Sequence, residues 1–209
     1  MAADTVETSN LSHSRSSLRV LMVIPGDESD SASMPFVRRQ ADALEQAGVA
    51  VYRFFLASRT SPVVLLREQR RFRQEITRCR PDVVHAQFGT MTAFFAMIST
   101  RIPLVITFRG SDLNPVPSSK VRSRLGHMLS HLATLRATGI ICVTEELRSR
   151  LWVPGVRTRA VVIPNSVNLE TFKLMPRDEA RQQLGWVRDE YVVLFNAWLA
   201  APRFKTGLT

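Results

Sequence analysis

The sequence predicts an α/β fold, a Rossmann-like doubly wound parallel sheet with helices on both faces. Two observations carry that expectation. Short, continuous apolar runs recur along the chain, Leu18–Ile24, Leu104–Phe108 and Ile140–Thr144 among them, as strands buried on both faces require. Between them lie longer segments whose apolar residues return every three or four positions, the period of a helix packed on one side. No repeat of fixed period competes with this reading. At 209 residues, 45% apolar and 22% charged, the chain has room for one full domain and a fragment of another.

Residues 1–17 are rich in Ser and Thr and lack the apolar centre of a secretory leader, so a disordered tail is expected there. Leu18–Ile24 is the first strand, ended by Pro25-Gly26. A polar loop, Asp27–Ser33, leads to a helix that Ser33 caps and Pro35 opens; Phe36, Val37, Ala41 and Leu44 share one face, and Gly48 stops it. Val49–Leu56 is the second strand. Pro62–Arg80 reads as an amphipathic helix, with Leu65, Phe72, Ile76 and Cys79 on one stripe and Arg67, Arg70, Arg71 and Arg78 off it. Asp82–Gln87 is the third strand, Met91–Ser99 a short helix and Leu104–Phe108 the fourth strand.

A loop with Gly110, Asn114, Pro115 and Pro117 precedes a long helix, Ser118–Ala137. Ile140–Thr144 is the fifth strand, Glu145–Leu151 a short helix, Ala160–Ile163 the sixth strand and Pro164-Asn165 a turn. A final helix, Arg177–Leu184, starts at Pro176 and stops at Gly185; Tyr191–Phe195 is one further strand.

Composition narrows the function. No apolar run reaches the roughly 18–20 residues of a membrane-spanning helix, so a cytoplasmic protein is expected. The two cysteines, Cys79 and Cys142, show no metal-ligand spacing and read as reduced, buried thiols. His127 and His131 share a helix face without a nearby acid, which favours a solvated or capping role over a metal site. The net charge of +10, from 28 basic and 18 acidic residues, favours anionic partners. Basic residues are dispersed and not interleaved with aromatics, which disfavours nucleic acid. The basic helix 62–80 offers contact with an anionic membrane surface, against the plainer reading of a solvated helix packed on the sheet.

Ligands of such folds bind beyond the carboxyl ends of the strands, and the informative residues sit there: Gly26–Met34, His85–Thr90, Arg109–Asn114 and Asn165–Asn168. Glycine-rich dinucleotide, P-loop and esterase-elbow motifs are all absent. His85, at the end of a buried strand, reads equally as a core histidine or a ligand. Arg109-Gly110-Ser111-Asp112 is sharper: Gly110 lets the backbone turn beneath a ligand, Arg109 can grip phosphate or sugar oxygens, and Asp112 can hold a hydroxyl or order the loop. A simple Arg–Asp surface pair is the competing explanation.

Four segments, in order and correctly spaced, resemble the amino-terminal half of the two-domain (GT-B) glycosyltransferases of family 4. Pro81–Gly89 (PDVVHAQFG) resembles "PDVVHAH", and Pro103–Leu113 (PLVITFRGSDL) resembles "P-x-V-x-T-x-HG-x-D". Ile141–Leu147 (ICVTEEL) resembles "VS-x-x-L", and Val162–Phe172 (VIPNSVNLETF) resembles the hinge signature "VIPNGVD-x-x-F". The resemblance implies transfer of a sugar from a nucleotide-sugar to an acceptor with retention. It implies an acceptor-binding domain over 18–172, and the hinge and first strand of a donor-binding domain over 173–209. Substrate binding would fall to Gly26, His85, Gln87, Arg109, Gly110, Asp112 and Asn165, with no catalytic residue named.

Four positions depart from the family pattern. Arg109 replaces the histidine of "HG", Gln87 the second histidine of "VHAH", Ser166 the hinge glycine and Asn168 the common Asp. An arginine at 109 keeps a hydrogen-bond donor but cannot shuttle a proton near neutral pH. Leu194–Leu199 resembles the opening strand of the second domain, with Trp198 near an expected Arg, and Arg203–Gly207 is a degenerate trace of that domain's next motif. Almost all of a donor-binding domain is missing from these 209 residues, so little activity is expected of them alone. The nucleotide-sugar is a co-substrate; no cofactor and no metal are expected. The expected partners are a sugar or lipid-linked acceptor, an anionic membrane at its inner face, and a separate donor-binding subunit. The other readings are a non-enzymatic sugar- or lipid-binding module forming half of a split enzyme, and a regulatory flavodoxin-like domain.

Overall fold

A computed structural model describes residues 17–30, 33–57, 61–114, 120–169 and 172–193, apart from the side chains at 120 and 122. The expected tail and the segments around Trp198 and Arg203 lie outside the described residues. The chain divides into two compact units, with the boundary between Ser166 and Val167.

In the first unit, six strands alternate with helices: β1 (Arg19–Pro25), α1 (Pro35–Gln46), β2 (Ala50–Leu56), α2 (Pro62–Cys79), β3 (Val83–Ala86), α3 (Thr90–Ser99), β4 (Leu104–Phe108), α4 (Lys120–Thr134), β5 (Gly139–Cys142), α5 (Glu145–Ser149), α6 (Val156–Arg159) and β6 (Ala160–Val162). They form one sheet in the order β2-β1-β3-β4-β5-β6, every pair parallel. This is the expected Rossmann-like α/β class.

Alternation along β1 sorts its side chains to two faces. Leu21 and Val23 join the larger core, where Phe72 of α2, Phe95 of α3, Ala133 of α4 and Leu147 of α5 are buried. Val20, Met22 and Ile24 face the other side and pack with Val37 and Ala41 of α1. Phe54, Phe72 and Phe95 form an aromatic cluster, with ring centroids 4.9 Å apart for Phe54–Phe72 and 5.4 Å for Phe72–Phe95. Burying a side chain the size of Phe72 completely stabilises by about 1.5–3 kcal/mol, so this cluster fixes α2 and α3 on the sheet.

Several boundaries differ from the sequence expectation for local reasons. Met34 at φ 53, not Ser33, is the N-cap of α1, and no side chain caps it. The loop before it is instead closed by Arg38, whose guanidinium donates to the carbonyls of Glu28 and Asp30 at 3.0 Å and of Ser33 at 3.2 Å. Gly26 is required beside that loop, because its φ is +121° and an added Cβ would lie 2.7 Å from Ser33 Oγ. Helix α6 was unforeseen; Gly155 at φ 72 turns the chain into it. In the second unit α7 (Arg177–Leu184) runs from Pro176 to Gly185 as the sequence predicts. Tyr191–Val193 is paired with no strand among the described residues, and the remainder of that expected strand lies outside them.

Candidate substrate-binding site

The chain leaves β1 for β2 on one side and then crosses back to β3 on the other. The loops after β1 and β3 therefore part at a topological switch point, where open α/β sheets bind ligands. Because all strands are parallel, the loops after β1, β3, β4 and β6 gather at one end of the sheet.

Arg109 leaves β4 at that end and organises the site. Its Nη2 donates to Gln87 Oε1 at 2.5 Å and to Gln40 Oε1 at 2.8 Å. Its Nε donates to the Gln87 carbonyl at 3.2 Å, its Nη1 donates to Asn165 Oδ1, and the guanidinium lies 5.0 Å from the Phe36 ring centroid. Each of these acceptors is a neutral amide oxygen. The guanidinium is held in position by dipoles, and among the described residues no carboxylate forms a salt bridge with it. Burial pulls its pKa down to about 10, with the charge of Asp112 opposing the shift, so it stays a cation at neutral pH.

His85 is buried behind Arg109. Gln87 has already given its oxygen to the arginine, so its amide N–H donates to His85 Nδ1 at 3.1 Å. That leaves the proton on Nε2, which donates to Thr107 Oγ1 at 2.8 Å. Burial, assisted by the nearby Arg109 charge, lowers the His85 pKa to about 4, so it is a neutral relay between β4 and Gln87. Of its two sequence readings, the core histidine describes it better.

Asp112 is fully buried. Its carboxylate accepts from the backbone N–H of Gly89 at 3.0 Å, Arg109 at 3.0 Å and Gly110 at 2.8 Å. Burial raises its pKa even against these three donors. Ser130 of α4 donates to the Asp112 carbonyl at 2.9 Å and accepts from Thr90 N–H at 2.7 Å. Asp112 thus ties the β3 and β4 loops together; ordering the loop, not holding a hydroxyl, is what this geometry provides. Gly26 and Gly110 contribute backbone turns, at φ +121° and +150°.

The arginine stands at a cleft of about 240 Å³ between α1 and the sheet. Phe36 and Gln40 form one wall, Thr107, Ile141 and Ile163 line the sheet side, and Asn165 lies with Arg109. The sequence reading therefore brings His85, Gln87, Arg109 and Asn165 into one network and places Asp112 and Gly110 beneath it. It missed Phe36, Gln40 and Thr107. Helical spacing places Phe36 on the core face, and only its position one residue into a helix that starts at a ligand loop points otherwise.

Other candidates fall elsewhere. His127 Nε2 is 3.0 Å from the Asn114 carbonyl, whereas His131 is buried against Trp152 with ring centroids 4.7 Å apart. Among the described residues no group of three His, Cys, Asp or Glu is placed to hold a metal ion. Cys79 and Cys142 are free and buried, and burial raises both thiols, Cys142 to about 11. On α2 the apolar stripe turns inward, leaving Arg67 and Arg70 exposed, while Arg71 pairs with Glu68 and Arg78 with Glu75. Among the described residues no helix is long and apolar enough to cross a membrane.

Comparison with known proteins agrees with this architecture. The model of the family described as Glycosyltransferase Family 4 matches residues 19–171. No curated protein sequence matches the chain. Among solved structures, sucrose-phosphate synthase from Thermosynechococcus elongatus superposes with a TM-score of 0.62 at 16% identity, over 83% of this chain and 54% of that one. Anabaena HepE, in complex with UDP and glucose, gives 0.52 at 20% identity over 80% of this chain and 50% of its own. UDP-GlcNAc 2-epimerase from Methanocaldococcus jannaschii gives 0.53 at 13% identity over 71% and 46%. At these identities the likeness is one of fold, and this chain spans about half the length of those it matches. With the family pattern running from β1 through β6 and on to residue 171, this chain belongs to glycosyltransferase family 4.

Proposed function

We propose that residues 18–172 form the acceptor-recognising domain of a retaining glycosyltransferase, with 173–209 as hinge and the opening of a donor-binding domain. Sugar passes from a nucleotide-sugar, a co-substrate, to a sugar or lipid-linked acceptor on the cytoplasmic side of a membrane. In this reading the donor is bound by a part of the enzyme beyond the matched residues, whether in the same or in a separate polypeptide.

One observation carries the assignment of the site: the Arg109 guanidinium, half-buried at the carboxyl end of β4, donates its side-chain hydrogen bonds among the described residues to neutral amide oxygens and to no carboxylate. A cation so placed binds an anionic group on a substrate, a phosphate or a carboxylate, through charge-assisted hydrogen bonds worth about 1.5–3 kcal/mol. Gln87 and Arg109, both departures from the family pattern, meet each other here, so the two replacements form one unit. Where the family has an imidazole at the position of Arg109, this chain has a fixed positive charge, and proton transfer there is replaced by anion binding.

Titration calorimetry with inorganic diphosphate and with glucose 1-phosphate tests the reading. Arg109→Ala is expected to weaken binding at least about tenfold, in line with the loss of one charge-assisted contact. Equal binding by both proteins, or no binding by the wild type at millimolar ligand, would overturn it.

A further inference from the structure

Helix α4 presents an apolar stripe to the outside. Val121, Leu125, Met128, Leu132 and Leu135, the last just past the helix end, are 82%, 51%, 50%, 38% and 62% exposed. Their spacing is four, three, four, three, which at helical periodicity keeps all five within about 40° of one line. Beside this helix Trp152, 69% exposed, lies over His131, and Ile98 on the neighbouring α3 is 52% exposed. The opposite face of α4 is occupied: Leu129, Ser130, Ala133 and Thr134 are buried. The stripe is therefore additional to what the fold itself consumes.

The polar positions of the same helix select what covers it. Residues 120–134 include Lys120, Arg122 and Arg124 and contain no Asp or Glu. At 100° per residue, Arg124, which is exposed, falls beside the stripe. An exposed apolar stripe and a tryptophan on a helix whose sequence carries basic residues and no acid are the pattern of a helix lying in a lipid interface, with its apolar face among acyl chains and its cations against anionic headgroups. A second copy of this chain is disfavoured by the same charges, because the helix and the +10 protein would meet their own sign.

We propose that the outer face of α4, together with Trp152, docks this protein on an anionic bilayer. The proposal moves the membrane contact from α2, whose apolar stripe is spent on the core and which leaves only Val63 and Leu66 among its large apolar residues well exposed, to α4. It stands independently of the anion site at Arg109. Helix α4 follows the loop of Arg109–Asn114 and is tied to it by Ser130, so a lipid surface on α4 brings membrane-borne molecules near the substrate cleft.

The test is co-sedimentation of the full chain with vesicles of phosphatidylcholine containing about one-third phosphatidylglycerol, against phosphatidylcholine alone. The wild type is expected to bind the anionic vesicles and to be released by high salt. The triple variant Leu125→Gln/Met128→Gln/Leu132→Gln, at exposed positions, is expected to lose at least tenfold in partitioning with an unchanged circular dichroism spectrum. In a Trp186→Phe/Trp198→Phe background, Trp152 emission is expected to shift to the blue on vesicle addition. Four results would each overturn the proposal. These are no vesicle binding by the wild type, full binding by the triple variant, loss of binding in Val63→Gln/Leu66→Gln instead, and a concentration-dependent dimer dissolved by the triple variant without vesicle binding. If the triple variant misfolds, the blue shift and its quenching by brominated lipid decide.

Discussion

Replacing Asp112 by alanine separates two roles that the same residue can play in a sugar-binding fold. In this structure the fully buried Asp112 carboxylate accepts from the N–H groups of Gly89, Arg109 and Gly110, all within 3.0 Å at their nearest, the first of these bonds buried and the other two part-buried. Asp112→Ala leaves three donors without a partner. An unsatisfied buried donor costs about 1–3 kcal/mol, so the variant is expected to lose at least about 3 kcal/mol. For a chain of this size that lowers Tm by roughly 6–12 °C. Urea unfolding followed by circular dichroism measures it. The β3 and β4 loops lose their tie, so binding of diphosphate at Arg109 falls as well, as a consequence of disorder. The opposite pattern, with a loss below about 1 kcal/mol and selective loss of sugar affinity, would refute the loop-tie argument and restore Asp112 as a hydroxyl ligand.

Further expectations concern the same loops and their neighbours. Gly89→Ala puts a Cβ 2.6 Å from Ser130 Oγ, 2.8 Å from Phe108 Cε1 and 2.9 Å from Asp112 Cβ, and should cost about 1–3 kcal/mol in urea unfolding; Gly48→Ala, in open space but at φ +84°, should act through backbone strain alone. His85, held neutral with a pKa near 4 against an ordinary 6.5, binds fewer protons folded than unfolded between those values. Its contribution is complete above pH 6.5 and is lost as the pH falls toward 4, up to about 3 kcal/mol, which a pH series of urea midpoints in wild type and His85→Gln will show as a flatter slope in the variant. Gln87→Ala should weaken anion binding through misplacement of Arg109, and combining it with Arg109→Ala should add little, because the two act as one unit in a double-mutant cycle read by calorimetry.

The strands were legible because β1, β3, β4 and β5 are short runs of Val, Ile and Leu, and burial on both faces leaves no room for another pattern. Arg109 and Gln87 were legible because a charged or amide side chain directly after such a strand stands at the ligand end of the sheet. Phe36 and Gln40 were not, since a helical wheel counts Phe36 as core and Gln40 as surface, and only the approach of α1 to β4 turns both toward the arginine. The role of Asp112 was open for a similar reason: one of its three donors, Gly89, comes from a loop 23 positions away. The start of α1 differs from the sequence expectation because Met34 supplies by backbone conformation what a capping Ser33 would supply by its hydroxyl.

The strand order also carries a consequence for how the chain comes into being. β1 pairs with β2 on one edge at Val20↔Val51 and with β3 on the other at Val20↔Val83. During synthesis, at about 5–20 residues per second, β1 and β2 are complete for roughly 2–6 s before β3 emerges. Through that interval one edge of a strand that ends up buried from Val20 to Pro25 is unpaired, with Leu21 and Val23 waiting for α2 and α3 to cover them. The nascent chain is therefore most vulnerable to aggregation just after residue 56, and a chaperone that binds extended apolar segments has its natural window there.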